Sequence, residues 1–324
     1  MIENETVGVV IPCYNEEHQI AKVIDTIPDF VDYIICIDDN SSDNTYCKLL
    51  EIKAQNSKLT TLKLEKNEGV GGAIDAGYGE ALRKKIDWTA VMGGDGQMNP
   101  LELRGLIEAL RETGRDYAKI NRLFDSDQLH QIPRIRLFGN SILSGLTRLS
   151  TGYWTLADSQ TGYTVISFRA LKSIQGNLWK KYGVPNDILN KLSANEFQVV
   201  EIPSLPIYGV GEVSKLQPRK VMLPILKLQI SAIKKRIFTK YLVRTLHPIG
   251  LGYFLSVTST VSALAYFFYL VVFVEFRLHV PITQRLILDL VILQIAFILF
   301  WLSMIFDAII NKDNIITLRN KYVE

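Results

Sequence analysis

The sequence predicts an α/β fold: a mostly parallel sheet with flanking helices, followed by a basic amphipathic helix and a two-helix transmembrane hairpin. Three observations predict it. Strand-like and helix-like segments alternate through the first 120 residues, polar clusters fall where the strand-like segments end, and two long apolar segments lie near the C-terminus. Such alternation argues for parallel strands joined by crossover helices.

In order, TVGVVIP, YIICID, LTTLKL and WTAVMG read as strands, and residues 15–27, 43–56, 71–85 and 99–113 as helices. Ligands of open parallel sheets bind outside the carboxyl ends of the strands, where the strand-to-helix loops gather. PCYNEE, DDNSSDNT, NEGVGG and GGDGQMNP all occupy such ends, so one crevice can collect them. The stretch from Leu123 to Arg136 has little periodicity and reads as a mobile loop over that site.

The chain has 324 residues, enough for one α/β domain and an appendage. Its net charge of +3 conceals an asymmetry. No Asp or Glu occurs from Ser214 to Val274, whereas Lys215, Arg219, Lys220, Lys227, Lys234, Lys235, Arg236, Lys240 and Arg244 crowd the first half of that interval, which suggests an anionic partner. Cys13, Cys36 and Cys47 show no CxxC spacing and read as ordinary thiols of a reducing compartment. The opening MIENE lacks the features of a signal peptide.

Residues 249–274 carry no charge, and at about 1.5 Å per residue they cross a hydrocarbon core of roughly 30 Å. Residues 286–310 are apolar apart from Asp289 and Asp307 near the ends, placed to reach the interface or, for Asp289, to pair with Arg285 one turn earlier. A buried helical hairpin of a soluble protein is the alternative, disfavoured by the length of both segments. Only EFRLHVPITQ lies between them, too little for a domain. Both ends of the hairpin therefore face one side, and the preceding cations make that side cytoplasmic. Residues 224–244 read as a basic amphipathic helix opened by Pro224, with Leu226, Ile230, Ile233 and Ile237 on one face, suited to an anionic leaflet or simply to solvent. The expected organisation is a cytoplasmic α/β domain over 1–213, juxtamembrane helices over 214–247, the hairpin over 248–310 and a cytoplasmic tail over 311–324. Both termini are then cytoplasmic and the protein is integral to the membrane.

GVGGAIDAG invites a dinucleotide reading, but Ile74 stands where the third glycine of G-x-G-x-x-G belongs, and the loop follows the third strand rather than the first. Walker A is absent. Close packing and a tight turn account for these glycines equally well. Asp38 and Asp39 end the second strand, and Asp95 with Gln97 ends the fourth. A hard cation takes oxygen ligands and retains substrate phosphates, while a base or ribose offers donors that carboxylates accept. Helix capping or turn formation is the alternative for Asp38 and Asp39.

VVIPCYNEE, IDDNSSDNT, NEGVGGAIDAG and GDGQMNP together resemble, in order and spacing, the motifs of inverting family 2 glycosyltransferases with the Rossmann-like GT-A fold. The two C-terminal spans resemble those of the polyprenyl-phosphate branch, which includes dolichyl-phosphate mannose synthase. The resemblance covers about residues 6–216. It implies that Pro12, Tyr14, Asn15 and Glu16 form the first nucleotide-binding motif, with Glu16 accepting from ribose or base. It likewise implies that Asp39 reads the base, that Asp38 supports the turn, and that Gly71 lies in the nucleotide-sugar site. Asp95 corresponds to the last acid of the DxD motif and Gln97 to the adjacent ligand of a divalent Mg²⁺ or Mn²⁺. Gly93 replaces the first acid of that motif.

On the acceptor side, Arg122 follows a strand in KINRLF, RIRLFGN supplies Arg134 and Arg136, and DSQTGYTVIS supplies Asp158 and Gln160. The resemblance brings Arg122 and Arg136 to the acceptor lipid's phosphate and puts Asp158 in the acceptor-side motif. Asp95, Asp158, Arg122 and Arg136 are thus the catalytic candidates, and Arg122, Arg134, Arg136 and Lys215 the phosphate-binding ones. Where many synthases carry an Arg before the Ser-Lys pair, this chain has YGVGEVSK. A hydroxyl acceptor needs a carboxylate base, for which Asp158 and Asp187 are available, whereas a lipid phosphate needs only cations to hold it. The arginines favour the phosphate. The expected partners are a UDP- or GDP-hexose, a polyprenyl (dolichyl or undecaprenyl) phosphate and the membrane, with no nucleic acid; self-association stays open. Transfer to a glycan hydroxyl, and a non-catalytic nucleotide-sugar-binding membrane protein, are the alternatives.

Overall fold

The structure is a computed structural model and describes residues 4–123, 134–204, 218–275 and 283–318. The chain forms two compact units, residues 1–230 with 313–324, and residues 231–312.

The first unit is built on an eight-stranded sheet. Its early part alternates as expected: β1 (Val7–Cys13), α1 (Ile20–Asp25), β2 (Tyr33–Asp38), α2 (Thr45–Gln55), β3 (Leu59–Lys63), α3 (Val70–Arg83), β4 (Trp88–Val91), α4 (Glu102–Thr113) and β5 (Tyr117–Asn121). Then come α5 (Arg134–Thr151), β6 (Thr164–Ser167), α6 (Phe168–Ile174), α7 (Val184–Ala194), β7 (Val199–Pro203) and α8 (Pro218–Arg236). After the second unit the chain returns as β8 (Ile315–Thr317). Strand order is β3-β2-β1-β4-β6-β5-β7-β8. All neighbours are parallel except β6, which runs antiparallel to both β4 and β5.

β1 is buried on both faces, which is why it reads as a continuous apolar run. Val7, Val9 and Ile11 join Leu103, Leu106 and Leu110 of α4 on one side. Val10 meets Ala73, Ile74 and Tyr78 of α3 on the other. Each such side chain contributes roughly 1.5–3 kcal/mol by burial. Because β4 pairs with β1 on the side opposite β2, the strand order reverses at β1. A crevice opens at the carboxyl ends there.

Several boundaries differ from the sequence reading, among them the start of α1, which lies at Ile20 rather than residue 15 because the Asn15 and Glu16 amides bond to Ser41 and Thr45 instead. α8 begins at Pro218 rather than Pro224: proline is at home in a first turn, and the second one is carried inside the helix. Residues 315–317, expected as tail, are an edge strand in register with Val199–Glu201 of β7; the β-branched run Ile315–Ile316–Thr317 suits that place.

In the second unit, a π-helical stretch Ile237–Val243 leads to α9 (Pro248–Tyr269) and α10 (Thr283–Ile310). Pro248–Val274 and Thr283–Ile310 are long and apolar enough to cross a bilayer. Small residues bring the two together: the Ser256 hydroxyl donates to the Ala296 carbonyl at 2.8 Å, and a methyl group on Gly252 would collide with the Ser303 hydroxyl. Neither aspartate behaves as expected. Asp307 is buried and receives a two-pronged Arg236 guanidinium at 2.7 and 2.8 Å, with the Tyr241 hydroxyl and the Asn311 amide also donating to it. A carboxylate in an apolar setting survives when charge and lone pairs are both met. Asp289 is buried rather than paired with Arg285, and its Oδ1 has no hydrogen-bond partner among the described residues.

Candidate active site

The loops after β1 and β2 are knitted together. Asn15 adopts left-handed backbone (φ 56°), and its side-chain oxygen accepts from the Ser42 backbone at 2.9 Å. The Asn15 and Glu16 amides donate to the hydroxyls of Ser41 (3.0 Å) and Thr45 (2.8 Å). Pro12 is the last but one residue of β1, and Tyr14 is 40% exposed beyond the strand. Asp38 is buried and accepts from the Ser41 amide, as a turn former does. Asp39 accepts from the backbone amides of Glu68 (2.6 Å) and Gly69 (2.8 Å), which anchors the loop before α3. Burial pushes the Asp39 carboxyl up from its ordinary value, against the opposing pull of those two amides.

The turn after β4 lies beside Glu16. A methyl group on Gly94 would sit 3.4 Å from the Pro12 carbonyl, 3.5 Å from the Cys13 sulfur and 3.6 Å from Glu16 Cγ. Asp95 Oδ1 accepts from the Gln97 amide at 3.1 Å, holding the carboxylate at this edge. Glu16, Asp39, Asp95 and Gln97 thus share one rim, the carboxyl ends of the adjacent parallel strands β1, β2 and β4. Gly71 has another occupation. Its amide and that of Gly72 donate to the Lys180 carbonyl at 3.0 and 3.3 Å, and a methyl group on Gly71 would collide with the Trp179 carbonyl. The free N–H groups that open a helix are taken up here by protein.

Arg122 follows β5, which ends at the same rim because two antiparallel pairings through β6 restore the direction of β4. Its Nε and a terminal nitrogen donate to Asp158 at 2.8 and 3.2 Å; the guanidinium side chain is 36% exposed and the carboxylate 1%. Asp158 also accepts from the Gln160 amide at 2.9 Å. Burial raises its carboxyl, but Arg122 and Lys119 outweigh burial and hold it below the usual range. The segment after Asp158 touches the Asp95 turn: the Tyr163 hydroxyl donates to the Asn99 carbonyl at 3.0 Å. Asp187 accepts from the Trp179 amide (2.9 Å) and from Lys191 (2.7 Å). Arg134 and Arg136 open α5, where only the backbone is described; Lys215 and most of the expected loop, residues 124–133, lie outside the described residues.

Sequence reasoning missed Lys119 and Glu201. They stand opposite one another on β5 and β7, fully buried, with Nζ 3.5 Å from Oε1. Glu201 accepts from the amides of Ala157 (2.9 Å) and Asp158 (3.3 Å), and Lys119 donates to the Asp158 carbonyl. The pair underpins the loop that holds Arg122. The signal was present: YAKIN and VVEIP each carry one charge, of opposite sign, inside an otherwise apolar strand.

A mostly parallel sheet of this order, with carboxylates at its switch point and an arginine after β5, defines a GT-A-type α/β fold. Glucosyl-3-phosphoglycerate synthase from Mycobacterium tuberculosis, solved with Mn²⁺, UDP and phosphoglyceric acid, shares that fold (TM-score 0.53, 20% identity, 72% of this chain and 78% of that one). The chain belongs to the family described as Glycosyl transferase family 2, which it matches over residues 8–175. Among its relatives, UDP-N-acetylglucosamine–dolichyl-phosphate N-acetylglucosaminyltransferase of Methanococcus voltae is 30% identical over 219 residues, covering 63% of this chain and 87% of the relative. Polyprenol monophosphomannose synthase of Mycolicibacterium smegmatis is 25% identical over 225 residues, covering 67% and 84%.

Proposed function

We propose that this glycosyltransferase moves a hexose from a nucleotide sugar to a polyprenyl phosphate at a membrane. The observation that carries the reading is Arg122, clamped by buried Asp158 at the rim that also presents Glu16, Asp39 and Asp95. The nucleotide lies across the ends of β1 and β2, where Glu16 and Asp39 accept from ribose and base. Arg122, with Arg134, Arg136 and Lys215, holds the acceptor phosphate. One phosphate oxygen attacks the anomeric carbon, the bond from that carbon to the pyrophosphate oxygen breaks, and the nucleoside diphosphate leaves with inversion. No proton needs removing, because the nucleophile is already an anion. Both candidate bases are otherwise engaged: the Asp158 oxygens accept from Arg122 and Gln160 and its lowered carboxyl makes it a weak base, so it acts through Arg122, and Asp187 accepts from Trp179 and Lys191.

A divalent Mg²⁺ or Mn²⁺ belongs to the proposal. Among the described residues no group of three or more His, Cys, Asp or Glu side chains comes together, so those residues make no complete cage. Asp95 with Gln97 nonetheless fits an ion that keeps substrate phosphates and water as ligands. Bound there, it would neutralise the leaving pyrophosphate.

The β7–β8 pairing and the nine cations before α9 support a hairpin whose two ends share the cytoplasmic side. The reading is tested by supplying labelled UDP- and GDP-sugars with polyprenyl phosphate and each metal. Label should enter an organic-extractable product that mild acid releases, and Asp95→Ala should abolish transfer while circular dichroism stays unchanged. Full activity in that variant removes Asp95 from the mechanism. An acid-stable product replaces the phosphate acceptor with a hydroxyl, and nucleotide binding without turnover on any lipid returns the non-catalytic alternative.

A further inference from the structure

Behind the Arg122–Asp158 clamp runs a buried chain of amides and hydroxyls that the reaction does not consume. It starts at Gln229, fully buried on α8, whose Nε2 donates to Thr147 Oγ1 of α5 at 2.8 Å. The Asn186 amide of α7 donates to the same hydroxyl at 2.8 Å. That hydroxyl gives its own hydrogen to the Leu143 carbonyl at 2.7 Å, so its one donor and two acceptor positions are all used. Gln160 Nε2 then donates to Asn186 Oδ1 at 3.1 Å, and the Gln160 backbone amide donates to Asp158 at 2.9 Å. A second strand of the network meets Gln229 Oε1, which accepts from Ser150 (2.7 Å) and Asn190 (3.2 Å).

Buried polar chains of this kind cost stability unless every member is satisfied, and apolar residues fill such space with less risk. Their gain is a unique geometry. Here the geometry joins two particular places. One end holds the arginine proposed to meet the acceptor. The other is on the last helix before the first apolar segment in the chain, a helix that turns Ile225 and Gln229 inward while Met222 (50%), Leu223 (64%) and Ile230 (42%) remain exposed alongside Lys227. A helix with apolar and basic side chains outward is built for a bilayer surface.

We infer that Gln229 is a positioning residue: through Thr147, Asn186 and Gln160 it ties the seating of α8 to the loop that aims Arg122 at the acceptor. The inference rests on the acceptor reading given above. α8 seated at the membrane thereby holds the arginine in place for a lipid-borne phosphate, and an unseated helix leaves it loose.

The test uses the full chain in lipid nanodiscs. Gln229→Met removes the amide at similar volume; Thr147→Val removes the central hydroxyl without changing shape, and Thr147→Ser restores it. The first two should raise KM for polyprenyl phosphate about tenfold, in the range of couplings carried through packed networks, while nucleotide-sugar affinity is unchanged and Thr147→Ser behaves as wild type. Hydrogen exchange supplies a readout independent of turnover: the amides of Ala157, Asp158 and Gln160 should exchange faster in Gln229→Met, with those of β1 and β2 unaffected. Unchanged exchange at 157–160, or donor and acceptor constants moving together with a lowered Tm, overturns the inference. Failure of the wild-type protein to transfer sugar to polyprenyl phosphate instead overturns the acceptor reading, and the exchange experiment still decides whether the connection exists.

Discussion

At the scale of single residues, the carboxylates divide by what already holds them. Asp39 keeps its proton to higher pH in the folded protein than in the unfolded chain, since burial raises its carboxyl above the ordinary value of 3.8. Its ionisation therefore costs stability as pH rises from 3.8 through the folded value, and a base or ribose donor meets an ionised partner only above that window. Nucleotide Kd measured by calorimetry should weaken as pH falls through the window, and Asp39→Asn should flatten the profile. Asp158 has the opposite sign: its lowered carboxyl contributes stability that is present above the unfolded value and is lost only in stronger acid. Arg122→Lys keeps the charge but loses the fork that meets both Asp158 oxygens, so kcat/KM for the acceptor should fall about 10- to 100-fold with donor binding intact. Motif spacing put Glu16, Asp39 and Asp95 after strands, and the sheet sets those strand ends side by side. Lys119 and Glu201 each show in the sequence as a lone charge in an apolar strand, but their partnership does not, because it comes only through the β5–β7 register, 82 residues apart in the chain.

At the scale of elements, period-2 and period-3.6 patterns were enough to read β1 through α4. They also marked a strand at the end of DSQTGYTVIS, where β6 lies, but were silent on its antiparallel direction, which depends on non-local neighbours. The glycine-rich opening of α3 was ambiguous for the same reason. Nothing local announces that the backbone of residues 179–180 will lie against Gly71. Gly71→Ala should therefore displace that backbone and cost about 1–3 kcal/mol in urea unfolding, an overpacking effect rather than a lost ligand contact. An unchanged midpoint with weakened nucleotide binding would assign the glycine to the ligand instead.

At the scale of the molecule, hydropathy located the two apolar helices, while the fate of the last residues needed the fold. With the proposed topology, a cysteine placed by His279→Cys should react with an impermeant maleimide from outside the cell, and exposed Cys47 only after permeabilisation. Removing residues 313–324 takes away β8 together with the bonds from Arg115 to the Asp313 carbonyl and from Thr155 to the Ile315 carbonyl. Thermal unfolding should then drop by about 5 °C, with aggregation through the bared edge of β7.

The place of β8 also dictates an order of events during synthesis. Its residues leave the ribosome after both apolar helices, yet they complete a sheet begun more than 300 residues earlier. The β7 edge, at the far side of the sheet from β1 and β2, is therefore closed only once the apolar hairpin has been made, and with the proposed topology that closure follows insertion of the hairpin.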